Sequence, residues 1–476
     1  MALNKKLVLV VDLDGTLVKT NMLFESFWSA LGCDTRTPLL FMRALLNKTT
    51  TLEDFFANKA SIDVGTLPYN SDAIAYIQAH RKEGGRAVLL TTGDKVLAEK
   101  ISQYLGIFDE VCDWKSDRKR KGEAKADFII QSFTKNQFLY MGNSNADFYV
   151  WKHAKKVITV NAEKSVRLKA ETLGKPFEHL GTINRSVSLY ISALRVHQWL
   201  KNLLLFLPML MGHQLNWEML KFGLIAFISF SFVASSVYIL NDLIDLTADR
   251  AHPRKCRRPF ASGAIPIVQG SILAVAFLTI GMLVATFLGP AFSLVLAAYY
   301  IMTLVYSIDL KRRIVLDIVM LAGFYTTRIV AGGVATGVTP SVWLLAFSIF
   351  FFFSLAAVKR QAELVDLDKR KMLKVSGRGY QVADMSILSM AALGSGYVSI
   401  LVMALYVNSP TITELYSTPD ALWGICCVLL YWQTRIVLVT HRGHMNDDPV
   451  LYAAKDRNSQ ICFLLIMSLM AVGIIW

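Results

Sequence analysis

From about residue 200 onward the chain is a succession of long apolar runs broken by short loops, and this pattern limits the fold more than any other feature. About 20 apolar residues make a helix that crosses a bilayer. In lipid a segment must satisfy its own backbone polar groups, which leaves a helix as the solution for isolated runs of this kind. Runs near residues 200–214, 219–240, 267–288, 290–307, 314–336, 341–358, 386–407, 420–440 and 459–476 predict an all-α polytopic bundle of about nine transmembrane helices. Residues 1 to about 185 read differently, mixed and charged like a globular domain. The overall 54% hydrophobic and 18% charged content therefore averages two regimes, and two domains are expected, 1–185 and 186–476.

The excess of 50 Lys+Arg over 36 Asp+Glu, a net +14, would suggest nucleic acid in a soluble chain. Here the basic residues gather in alternate loops, Arg250 to Arg258, Lys311 to Arg313, Lys359 to Arg378 and His441 to Arg457, while the opposite loops carry almost none. That is the positive-inside pattern. It predicts a multi-pass protein of the bacterial inner (cytoplasmic) membrane, with the N-terminal domain and basic loops in the cytoplasm, the C-terminus outside, and no nucleic-acid partner. Six scattered cysteines show no paired metal spacing and read as reduced and structural. The apolar stretch of MALNKKLVLVVDLDGTL is short and interrupted by Asp12 and Asp14, which makes it a buried strand rather than a signal sequence.

Leu7 to Val11, Ala87 to Leu90 and Phe138 to Met141 are apolar runs that end respectively in Asp12-Leu13-Asp14-Gly15-Thr16, Thr91-Thr92-Gly93-Asp94 and Gly142-Asn143-Ser144-Asn145-Ala146-Asp147. Helical patterns separate them, predicting an α/β parallel sheet whose strand tips meet at one crevice. These segments resemble the haloacid-dehalogenase (HAD) phosphatase family, whose first motif is Asp-x-Asp-Gly-Thr, over most of residues 5–160. The resemblance implies Asp12 as nucleophile on phosphorus, Asp14 as the acid that protonates the leaving oxygen, and Thr91 as a phosphoryl contact. It also implies Lys121, or Lys125 four residues on, to neutralise charge. Asp147, with Asp12 and Asn143, would surround Mg²⁺, a cation that takes oxygen ligands. A helical cap is expected at about 20–80. Asn143 stands where the family has aspartate, which lowers the charge offered to a metal and leaves an inactive HAD-like domain as the competing reading.

Asn241-Asp242-Leu243-Ile244-Asp245-Leu246-Thr247-Ala248-Asp249-Arg250 follows directly from an apolar run. On a helix Asp242, Asp245 and Asp249, three and four residues apart, share one face. Three like charges there repel unless a cation joins them, which points to Mg²⁺ carrying a diphosphate. Arg250, Lys255 and Arg258 follow and suit anionic oxygens. The competing reading is a solvated charge cluster beside the membrane. Arg328 lies in the middle of an apolar run, where a charge is costly unless it faces a polar cavity, so it reads as a site residue or as the partner of an interior acid or carbonyl.

The stretch from Asn241 resembles the UbiA superfamily of intramembrane prenyltransferases, whose first motif is Asn-Asp-x-x-Asp, over residues 190–476. Its continuation through His252-Pro253-Arg254-Lys255 to Ala261-Ser262-Gly263 resembles the decaprenyl-phosphate phosphoribosyltransferase branch. So do Arg195-x-x-Gln198-Trp199-x-Lys201-Asn202, Tyr306-Ser307-x-x-Leu310-Lys311 with Asp317, Lys359-Arg360-x-x-Glu363, and Asp447-Asp448-Pro449-Val450. Leu321 stands where many members carry a second aspartate after Asp317. The resemblance implies phosphoribosyl diphosphate as donor and a polyprenyl phosphate as acceptor, with Mg²⁺ as cofactor. Lys201, Lys311 and Lys359 would contact phosphates and Asn202 would help position the acceptor. Asn241, Tyr306, Asp317, Asp447 and Asp448 complete the expected substrate contacts. An aromatic prenyltransferase acting on a prenyl diphosphate is the alternative, and a catalytically dead scaffold is a third; a homo-oligomer is left open.

Overall fold

In the N-terminal part the strands at Val8–Asp12, Arg86–Thr91, Phe138–Gly142 and Lys156–Val160 carry β-branched or large apolar residues on successive positions, so both faces of the sheet must be covered there. The computed structural model describes residues 7–33, 37, 62–114, 121–135, 137–181, 186–372, 378–445 and 448–475. Two compact units divide the chain, one of Met1–Leu194 with Ile239–Leu273 and one of Arg195–Tyr238 with Ala274–Trp476.

In the first unit, β1 (Val8–Asp12), β2 (Arg86–Thr91), β3 (Glu110–Asp113), β4 (Phe138–Gly142), β5 (Lys156–Val160) and β6 (Phe177–Leu180) form one parallel sheet in the order β3-β2-β1-β4-β5-β6. Leu9, Val11, Leu89 and Met141 pack on one face under helices α1 (Ser71–Lys82) and α2 (Lys95–Leu105), which contribute Ala73, Ile77, Leu97 and Ile101. Val10, Leu90, Phe138 and Tyr140 pack on the other under α3 (Lys121–Phe133), through Ala126 and Ile129. The strand order reverses beside β1, so the C-terminal tips of β1, β2 and β4 open onto the crevice that such a reversal creates. Ser71–Lys82 is thus a crossover helix of the sheet, and the expected cap at about 20–80 is shorter at that end. Of the inserted segment, Met22–Cys33 is helical; residues 38–61 lie outside the described residues.

Among the described residues eight helices, not nine, are long and apolar enough to cross a membrane: Trp217–Ile244, Ile267–Leu288, Pro290–Ile308, Leu316–Thr336, Val342–Lys369, Val382–Val407, Pro419–His441 and Arg457–Ile474. They are called spans one to eight. The run at 200–214 is instead a 3-10 helix, Val196–Phe206, followed by a short α-helix, Leu207–Met211. A 3-10 helix rises about 2.0 Å per residue against 1.5 Å for α, so this stretch reaches roughly 30 Å without being a long α-helix.

In the second unit Leu205 of the 3-10 segment packs with Phe230 of span one, Phe292, Leu296 and Tyr299 of span three, and Phe324 of span four. The approach to span four is close: a Cβ at Gly332 would lie 2.0 Å from the carbonyl oxygen of Leu205. Spans four to eight share a second core of Ile329, Phe352, Leu355, Leu388, Trp432 and Cys462.

Candidate active sites

At the tip of β1 the Asp12 carboxylate is buried, and so is Asp147, held in the 3-10 turn Asn145–Asp147 that follows β4. Lys125 reaches both from α3, its Nζ 2.8 Å from Oδ1 of Asp12 and 2.9 Å from Oδ1 of Asp147. Asp147 also accepts from Tyr140 Oη at 2.8 Å, from Asn143 N at 3.0 Å, and from Ser144 N and Oγ, each at 2.9 Å. Burial pushes the Asp12 carboxyl up to about 7 although Lys125 opposes it. Burial also works against ionisation of Asp147, but Lys125 and the donors around it outweigh that and hold its pKa below the usual carboxylate range. Thr91 is buried at the end of β2, with its Oγ1 accepting from Gly93 N at 3.2 Å. Asp14 accepts from Met22 N at 2.8 Å, on the rim of the crevice.

Lys125 thus binds both Asp12 and Asp147; the Lys121 side chain, one turn earlier, lies outside the described residues. Asn143 packs against Gly15, which has φ +73°, and a Cβ there would fall 2.1 Å from the Asn143 Nδ2. Gly15→Ala is expected to lower the stability of the protein by about 1–2 kcal/mol from the left-handed backbone alone. A melting temperature equal to that of the wild type would contradict this.

Span one ends at Ile244, Asp245 sits in a turn (φ −88°, ψ 11°), and a short helix resumes at Leu246–Ala251. The expected single helical face is thus broken at Asp245. Asp242 and Asp249 nonetheless converge: both are buried, and Arg258 Nη1 lies 3.0 Å from Oδ1 of Asp242 and 2.6 Å from Oδ2 of Asp249. Burial pushes the Asp249 carboxyl up to about 6, with Arg258 opposing and Asp242 adding to the rise. Arg250 turns away from this pair and grips Glu25, both side chains being about 5% exposed or less. Its Nε donates to Ala261 O at 3.1 Å. Asn241 lies in the last turn of span one and Lys255 in the 3-10 turn Lys255–Arg257, whose start is capped by His252 Nδ1 accepting from Lys255 N at 3.3 Å.

No group of three or more His, Cys, Asp or Glu side chains able to hold a metal ion is found among the described residues. Each carboxylate pair instead closes on an internal cation, Lys125 or Arg258. Two carboxylates around one positive centre, with oxygen as the only donor, suit Mg²⁺, which is usually bound by one or two carboxylates together with substrate phosphates and water. Arg258→Gln should make the stability of the protein more dependent on added Mg²⁺, because Asp242 and Asp249 lose the guanidinium that now offsets them. The expected result is a lower melting temperature in EDTA and a larger rise on adding MgCl₂ than in the wild type; equal rises would contradict it.

In the second unit Lys201 pairs with Asp448, whose Oδ1 also caps the helix Pro449–Lys455 by accepting from Val450 N at 3.1 Å. Burial opposes ionisation of Asp448, yet Lys201 and Lys359 push its carboxyl down to about 2. Asn202, beside Lys201, accepts from Arg328 Nε at 2.9 Å and donates to Ser231 Oγ at 2.9 Å. Arg328 further donates to Phe324 O at 2.6 Å and Tyr299 Oη at 3.0 Å, and its guanidinium lies 5.1 Å from the ring centres of Phe230 and Tyr299. Asp317 is fully buried and accepts from Tyr306 Oη at 2.7 Å, Arg360 Nη2 at 3.0 Å and Arg378 Nη1 at 3.3 Å, with a further bond from Arg360 Nε. Arg360 also pairs with Glu363 at 2.7 Å. Lys311 is buried in the turn Leu310–Arg312.

The UbiA prenyltransferase family model matches residues 203–444, about half of the chain. The chain belongs to that family. A decaprenyl-phosphate phosphoribosyltransferase of Mycolicibacterium smegmatis is 32% identical over 58% of this chain and 90% of its own length. An uncharacterized protein of Sinorhizobium fredii is 33% identical over 98% of this chain and 90% of its own length, so it spans both parts. The chain is also similar in structure to a phosphoserine phosphatase, with 16% identity, 37% of this chain, 94% of that one and a TM-score of 0.26. As a UbiA protein the chain is a multi-pass membrane protein.

Within the UbiA region the expected residues fall into separate groups. Asp242, Asp249 and Arg258 come together, as do Lys201 and Asp448. Tyr306 and Asp317, expected among substrate contacts, are bonded to each other, with Arg360 on both and Arg378 on Asp317. Arg328, read either as a site residue or as the partner of an interior acid or carbonyl, donates to Phe324 O, Asn202 and Tyr299. Asp447 lies outside the described residues. Sequence reasoning missed Glu25, Tyr299 and Arg378, and passed over Arg360 as a site residue; the signal for Arg360 was its place in Lys359-Arg360-x-x-Glu363, beside the Lys359 that was singled out.

Proposed function

We propose that the UbiA region transfers 5-phosphoribose from phosphoribosyl diphosphate to a polyprenyl phosphate at the inner membrane, and that the N-terminal domain, cytoplasmic and bounded near residue 185, removes the 5-phosphate from the product. The observation that carries the reading is the convergence of buried Asp242 and Asp249 on one cationic centre, in a chain 32% identical to a decaprenyl-phosphate phosphoribosyltransferase along 90% of that enzyme. Asp242 and Asp249 would hold Mg²⁺, which offsets the negative charge of the leaving diphosphate. Arg258, displaced from the carboxylates, is placed to take diphosphate oxygens. The acceptor phosphate is already an anion, so no strong base is needed for its oxygen to attack the anomeric carbon. Lys201 and Lys359 carry the charge that suits the substrates' phosphates.

In the phosphatase step an Asp12 oxygen attacks phosphorus, the bond to the sugar oxygen breaks, and Asp14 gives its proton to that oxygen. Water then attacks the aspartyl phosphate, Asp14 takes the water's proton, and inorganic phosphate leaves. Asp12, Asp147 and Asn143 would hold Mg²⁺ there. The test supplies membranes containing the protein with radiolabelled phosphoribosyl diphosphate or, separately, prenyl diphosphate. Label entering lipid from the first donor supports the reading. Label entering only from the second makes the protein an aromatic-type prenyltransferase instead.

A further inference from the structure

The crevice that carries Asp14, Gly15 and Asn143 has a wall that the sheet does not supply. A cavity of about 240 Å³ is bounded on one side by those residues and on the other by Gly263, Ala264 and Val268, which lead from the basic loop into span two. Three ties hold this segment to the phosphatase-like part of the same unit. Arg250 grips Glu25 on the helix Met22–Cys33, and Trp28 Nε1 donates to Ser271 Oγ at 3.2 Å. The third is steric: Gly263 has φ +72°, and a Cβ on it would lie 2.8 Å from Cβ of Lys19. Thr20 also lines the cavity, and its buried Oγ1 has no hydrogen-bond partner among the described residues. A buried hydroxyl without a partner costs free energy unless a bound molecule meets it.

We propose that Gly263–Val268 is the substrate-selecting wall of this crevice, and that the crevice takes a phosphate monoester carried on a membrane lipid rather than a free sugar phosphate. The proposal rests on the reading of Asp12 and Asp14 as a phosphatase pair. The cavity is polar on the side of Asp14, Lys19, Asn21 and Asn143, which suits a phosphate and its sugar, and apolar on the other, where Ala264, Pro266, Ile267 and Val268 stand at the start of a helix of membrane-spanning length. An apolar wall that runs into a membrane helix suits a headgroup whose remainder stays in lipid. The segment that begins with the carboxylates of Asp242 and Asp249 thus ends as part of the second site, and the product of one reaction is the molecule the other selects.

The experiment uses the full-length protein in detergent or vesicles with three phosphate monoesters: the lipid-linked ribose 5-phosphate made in place by the transferase, free ribose 5-phosphate, and p-nitrophenyl phosphate. The wild type is expected to release phosphate from the lipid-linked ester at least tenfold faster than from free ribose 5-phosphate; equal rates overturn the proposal. Ala264→Trp and Val268→Trp are expected to lower the ratio of lipid-linked to p-nitrophenyl phosphate rates at least tenfold, and a ratio within twofold of the wild type in both variants overturns it. Asp12→Asn separates the two levels: if phosphate release from all three esters survives that change, the phosphatase reading itself fails, whatever the wall variants do.

Discussion

Asp242→Asn is expected to lower the transfer of label from phosphoribosyl diphosphate into lipid by about 10²–10³-fold, the usual cost of removing one charge-stabilising group from an active site. Arg258 Nη1 binds both Asp242 and Asp249, and both carboxylates are buried. Their joint charge is what draws a divalent cation with its diphosphate into a poorly solvated place, and an amide at one position halves it. The measurement is initial rate against MgCl₂ concentration with purified protein, with a thermal melt alongside. A higher Mg²⁺ requirement and an unchanged melt are expected. Label incorporation within about threefold of the wild type at every Mg²⁺ concentration would sink the assignment of this pair.

A second large effect is expected at Asp317, of a different kind. Asp317→Leu removes one of the two carboxylates that Arg360 and Arg378 share, leaving only the more exposed Glu363, and Arg360 is almost wholly buried at 1% exposure. Breaking a buried ion pair from one side costs about 3–5 kcal/mol because the remaining charge stays desolvated. The expected result is a large drop in melting temperature in detergent, before any effect on substrate affinity is considered. The double variant Asp317→Leu/Arg360→Met should recover part of it, since replacing both partners by apolar groups is often near neutral. If Asp317 were a substrate ligand, as its place in a second motif suggested, the melt would stay put and KM for phosphoribosyl diphosphate would rise. That outcome would return Asp317 to the site and remove Arg360 and Arg378 as its reason for being there.

What could be read in advance follows from how local each signal is. Strand β1 and the carboxylate at its tip were legible because apolar run, strand and Asp12 are contiguous. Lys121 and Lys125 stand one turn apart and share a helix face, so only the packing of α3 on the sheet separates them. Asp242, Asp245 and Asp249 were legible as a cluster but not as a shape, since nothing in the letters marks the end of span one at Ile244. The partners of Asp317 come from 43 and 61 positions away along the chain, and no periodicity reports such pairings. The missing ninth helix has a plainer cause: residues 200–214 are apolar enough for a span, and composition does not distinguish three residues per turn from 3.6.

That tighter winding has a consequence for which side chains meet. A 3-10 helix advances 120° per residue and an α-helix 100°, so over the seven residues from Arg195 to Asn202 the two forms differ by about 140° of rotation. Wound as an ordinary helix, Val196–Phe206 would swing the Asn202 amide to the far side of its axis, away from the Arg328 guanidinium, and Lys201 with it away from Asp448. The angular phase of one short, unusual helix thus decides which polar groups the bundle interior receives. Gly332, whose bare backbone admits the Leu205 carbonyl, acts as the key that fixes that phase.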